Sequence, residues 1–130
     1  MATLSSPRVR AAGITTDGGV NLSTAQTGNG DSTNVAFRGA RTDGGAVVIT
    51  STIGATPTVT VNIQGSVDGV NFFNVPYSLV ATPRTFVLTA ITITTAVTTT
   101  YLLQELVFYQ YLKLVYSANT NVTLTADAFL

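Results

Sequence analysis

The chain has no cysteine, no histidine and no tryptophan. Without cysteine there is no disulfide framework, no thiolate nucleophile and no thiolate metal site. Without histidine the commonest general base and the commonest metal ligand are both missing. A Ser–His–Asp triad, a Cys–His pair and a histidine-containing zinc site are therefore excluded. Charge is scarce as well: only 9% of the 130 residues are charged, and the formal net charge is zero. An ordinary soluble domain carries about 25% charged residues. A neutral, charge-poor surface favours association over dispersion. Lys113 is the only lysine, and the pairs Arg8/Arg10 and Arg38/Arg41 are too few to neutralise a phosphate track, so nucleic acid is not an expected partner. No uninterrupted apolar run is long enough to span a bilayer as a helix, because Thr breaks the best candidate, residues 90–101. No membrane partner is expected on that ground. The first residues lack an apolar h-region, so no classical signal peptide is expected.

Six carboxylates are present: Asp17, Asp31, Asp43, Asp68, Glu105 and Asp127. A glycosidase needs only two. However, Asp17, Asp43 and Asp68 each precede Gly, where Asp is the ordinary turn-former. No acidic cluster has calcium-loop spacing. The expectation is a non-enzyme with no catalytic residues, no metal and no cofactor.

Apolar residues make up 45% of the chain, enough for one core at this length. Residues 1–33 are polar and aperiodic, with Leu4, Val9, Ile14, Val20 and Leu22 scattered among Ser, Thr, Gly and Asn. They read as an extended polar N-terminal arm. Leu4, Arg8, Val9, Arg10 and Ile14 are its candidate contact residues. From residue 34 to 130 the pattern is strands and turns. Val35–Arg38 and Ala46–Ile53 are extended and apolar. Thr58–Gln64 alternates, with Val59, Val61 and Ile63 on one face, which is the period of a half-buried strand. Asp68-Gly69 is a tight-turn dipeptide leading into residues 70–75. Arg84–Leu88 reads as a further strand. Thr98–Gln104 and Tyr109–Tyr116 read as an antiparallel pair, and Val122, Leu124 and Ala126 alternate along a closing strand. The expected fold is all-β, an antiparallel β-sandwich or jelly roll behind the arm. On the strand Tyr109–Tyr116, Leu112, Leu114 and Tyr116 face opposite to Tyr109, Tyr111 and Lys113. Tyr109 and Tyr111 are then either core or an exposed interface, and they are the candidate interface aromatics.

The stretch from Val61 to Phe72, Val-Asn-Ile-Gln-Gly-Ser-Val-Asp-Gly-Val-Asn-Phe, resembles a pattern in small virion proteins of tailed phages. Tyr109–Tyr116 resembles the companion strand, an aromatic followed by a basic residue between apolar ones, and Asn121–Thr125 fits the closing strand. The resemblance covers roughly residues 46–130. With the low charge and polar arm it points to head decoration, or cement, proteins. It implies a β-rich homotrimer on the outer capsid surface of the virion, made in the host cytoplasm. The implied partner is the major capsid protein, bound where its subunits meet. No functional residue carries over by motif. The alternative is a carbohydrate- or receptor-binding β-sandwich module of a phage tail or cell surface.

Overall fold

A computed structural model of the chain describes residues 20–41, 45–105 and 109–129. These residues form one antiparallel sheet, and no helix occurs among them. Its axis is a pair of very long strands, β4 (Gly45–Ser66) and β9 (Tyr109–Phe129). They run antiparallel from Ala46↔Phe129 at one end to Ser66↔Tyr111 at the other. Every other strand except β6 adds to one of these two. β1 (Val20–Gln26), β2 (Gly30–Asp31) and β3 (Val35–Arg41) pair with β9. β5 (Phe72–Asn74), β7 (Ile91–Ile93) and β8 (Thr98–Leu103) pair with β4, and β6 (Tyr77–Leu79) pairs with β8.

Alternation explains why the long strands form. Val59, Val61 and Ile63 are buried while Thr60, Asn62 and Gln64 are only half-buried. Across the ladder, Tyr116 and Leu114 lie opposite Val61 and Ile63 and are buried too. The other end repeats the pattern, with Val47 and Ile49 opposite Ala128 and Ala126. Each fully buried Leu or Val contributes roughly 1.5–3 kcal/mol relative to exposure.

The register slips midway, between Ile53 and Thr60 on β4. Here residues 52–56 are exposed, and Thr56, Ala118 and Asn121 have φ of 44°, 52° and 55°. That left-handed backbone is costly for a side chain with a Cβ. Asparagine side chains hold it in place. Asn119 bonds the Val122 amide through Oδ1 (3.1 Å) and the Val122 carbonyl through Nδ2 (3.0 Å), and Asn121 donates to the Ala55 carbonyl at 2.6 Å. The buried side chains on both sides of this irregularity belong to one core. One buried hydrogen bond links β1 to the far half of β9: Ser23 Oγ and Tyr116 Oη are 2.7 Å apart.

Several expectations change. The segment 20–33, read as part of a polar arm, enters the sheet from residue 20, and Leu22 is buried in the core. β8 pairs with β4 and β6, not with β9. Arg84–Leu88 is no strand; only an isolated bridge joins Val87 to Tyr77. Residues 46–53 and 58–64, read as separate strands, are continuous.

Two outcomes follow from this packing. Gly65 has no room for a side chain: a Cβ there would lie 3.0 Å from Val75 Cγ2 and 3.1 Å from Tyr109 Cγ. Gly65→Ala is expected to lower stability by about 1–3 kcal/mol, read from the midpoint of urea unfolding. Burial raises the Tyr116 phenol above its ordinary value, with the Ser23 hydrogen bond acting the other way. The unfolded chain then loses this proton first, near pH ~10, so stability is intact below that pH and falls above it. Tyr116→Phe is expected to flatten that alkaline limb in thermal melts. At pH 7 it is expected to cost about 1 kcal/mol through the lost Ser23 bond.

Candidate functional site

Leu4, Arg8, Val9, Arg10 and Ile14 lie outside the described residues. Tyr109 and Tyr111 lie within them and have separate roles. Tyr109 is fully buried in the core, its ring covering Gly65. It is thus removed from the chain's surface, although strand alternation had placed it on the face opposite Leu112. The missing side chain at Gly65 is what admits the ring. Tyr111 is half-buried, and its ring lies 3.1–3.3 Å from where a Cβ on Gly69 would stand. Gly69 has φ 79°, so glycine is required there for both backbone and space. Tyr109 is thereby closed to a ligand, while Tyr111 keeps part of its ring exposed.

What Tyr111 supports is the tip of the hairpin between β4 and β5. Asp68 organises that tip. Its Oδ1 accepts from the backbone amides of Val70 (2.9 Å) and Asn71 (2.8 Å) and from Ser66 Oγ (3.0 Å). Its Oδ2 accepts from Asn71 Nδ2 at 2.9 Å. Ser66 Oγ in turn accepts from the Gly69 amide at 2.9 Å. These donors, the Asn71 amide first, hold the Asp68 carboxyl well below the usual carboxylate range. At the base of the hairpin Lys113 sits 4.1 Å from the centre of the Phe72 ring and pairs with Asp31 at 2.7 Å. The result is a braced tip that presents apolar side chains to solvent. Val70 is 79% exposed, and Val67 and Phe73 are exposed beside it.

A second apolar surface lies on the connection from β6 to β7. Tyr77 and Val87 exchange backbone hydrogen bonds of 2.9 and 3.0 Å, closing residues 78–86 into a loop. Ser78 Oγ ties the loop to the Pro83 carbonyl at 3.0 Å. Leu79, Val80, Val87 and Leu88 are exposed on it. Behind them is a cavity of about 310 Å³ lined by Tyr77, Leu79, Val87, Ile91 and Tyr101, with Ser78, Thr82, Thr85 and Thr92 supplying hydroxyls. Tyr77 and Tyr101 meet edge to face, centroids 5.4 Å apart. Burial raises the Tyr101 phenol, opposed by a hydrogen bond with Thr99. From residue 77 to 101 the only charged side chain is Arg84. Another hollow, about 340 Å³, lies at the β4/β9 irregularity around Asn121, with Thr27, Thr52 and Thr123 among its lining residues.

The loop surface is not visible from a reading of Arg84–Leu88 as a strand, where only the Val87 bridge forms. The signal against it was present: Leu79-Val80 and Val87-Leu88 are adjacent apolar pairs, not alternating ones, and Pro83 lies between them. Among the described residues no group of three or more acidic side chains is placed to hold a metal ion.

Comparison with protein-family models, with curated proteins and with solved structures finds no match.

The Asp68 turn makes the tip sensitive to acid. Its carboxyl is depressed in the folded chain relative to about 3.9 when unfolded. Its contribution is therefore present above the unfolded value and is lost as pH falls through and below it. Asp68→Asn is expected to lower the melting temperature at pH 7 and to flatten its decline between about pH 5 and pH 2. Because the carboxylate is exposed, the change is modest. Parallel melts of wild type and variant across that range check it.

Proposed function

We propose that the chain is a structural virion protein: a decoration, or cement, protein that binds the outside of an assembled phage head at subunit junctions, as a homotrimer. The observation that carries this reading is a charge-poor chain with large apolar side chains held out on braced loops, Val67, Val70 and Phe73 on one and Leu79, Val80, Val87 and Leu88 on another. Exposed apolar groups on a rigid scaffold favour burial against protein partners. The body is read as a β-sandwich made by folding the single sheet at the β4/β9 irregularity. The shared core and the Ser23–Tyr116 bond support that reading. Sites that exist only where several capsid subunits meet would bind the shell and not the free subunit. Such binding stabilises the shell by mass action, and many symmetric copies multiply a small gain per site.

The test mixes purified protein with heads that lack it and, separately, with free capsid subunit. Co-sedimentation with heads alone, and heads that resist heating better once decorated, is the expected result. Equal binding to free subunit, or none to heads, overturns the reading. A variant without residues 2–19, which stops short of β1, is expected to fold and to occupy heads at least about tenfold more weakly if the arm spans the junction.

A further inference from the structure

We infer that copies of this chain join head to tail, the β4–β5 hairpin tip of one docking in the cavity beside β6 and β8 of the next. The tip is convex and apolar, with Val67, Val70 and Phe73 exposed. The cavity is concave and mostly apolar, walled by Tyr77, Leu79, Val87, Ile91 and Tyr101. One feature projects and the other is recessed, and both are largely apolar. Backbone pairing of residues 64–66 with 72–74 holds the tip out, and the cavity stands open behind exposed Leu79 and Val87.

Charge points to the same occupant. The tip carries one charge, on Asp68, whose carboxyl stays ionised because backbone amides bond it. The exposed charge at the cavity is Arg84, between the lining residues Thr82 and Thr85. Docking Val70 into the cavity brings opposite charges to its rim, where they favour the correct partner and orientation. The cavity lining contains no charged residue, so an apolar tip enters without stranding a charge. The contact uses two different patches. It is therefore heterologous, and it closes into a ring when the rotation between copies allows. This deepens the self-assembly part of the function proposed above. Its test uses the chain without any head, so head binding can fail while this contact stands, and variants that associate like wild type would remove this contact while leaving head binding and a homotrimer through another face.

The experiment compares light-scattering mass and sedimentation equilibrium for wild type, Val70→Glu and Val87→Glu. Both positions are exposed, so circular dichroism is expected to show unchanged folding. Wild type is expected at a multiple of the 13.5 kDa chain mass. Each variant is expected to associate at least about thirtyfold more weakly, the loss typical of a central interface residue. The decisive arm mixes the two variants. Val70→Glu keeps an intact cavity and Val87→Glu an intact tip, so the mixture is expected to form one-to-one dimers and nothing larger. A monomeric wild type, variants that associate like wild type, or a mixture that remains monomeric overturns the inference.

Discussion

The antiparallel ladder between β4 and β9 is the constraint on which the rest of the molecule depends. Each of these strands is flanked on both sides, β9 by β1, β2 and β3, and β4 by β5, β7 and β8. Their inward positions supply most of the core, from Val47 and Ile49 at one end to Ile63 and Leu114 at the other. A one-residue slip would turn each of these side chains to the opposite face. The single irregularity the ladder tolerates lies at its exposed midpoint, where left-handed Thr56, Ala118 and Asn121 absorb the change in register.

The few charged side chains brace this frame. Lys113 lies between Asp31 and the Phe72 ring and so ties β2 and β5 to β9. Asp127 accepts from Asn21 Nδ2 at 3.0 Å across the β1 edge. Asp68 satisfies the amides of its own turn. Charges used in this way are few, and the apolar tip and the 79–88 loop carry one each, Asp68 and Arg84. Low overall charge and exposed apolar loops are two sides of one composition.

Where one face of a strand is buried, alternation was readable beforehand. Thr58–Gln64 and Val122–Asp127 bury the side chains their spacing selects, and Asp68-Gly69 makes its turn. β1 was not readable, because Asn21, Ser23 and Thr24 surround the one large core side chain, Leu22. Its strand character comes from pairing with β9 at the other end of the chain. β8 was assigned the wrong neighbour because strands close in sequence usually pair, and here the long β4 intervenes. Of the candidate site residues, Tyr109 was ambiguous for a similar reason: its buried ring packs where Gly65, on the neighbouring strand, has no side chain.

The sequence by itself determined the all-β class, the buried face of the alternating strands, the Asp68 turn and the lack of any cysteine- or histidine-based chemistry. These are properties of neighbouring residues or of composition, set by the two-residue period of the pleat and by which side chains exist at all. Tertiary structure alone decided which strands meet, that Tyr109 is core while Tyr111 props the hairpin, and that residues 79–88 form an apolar loop beside a cavity. Those depend on groups brought across the sheet from distant parts of the chain, and no local pattern encodes what lies opposite.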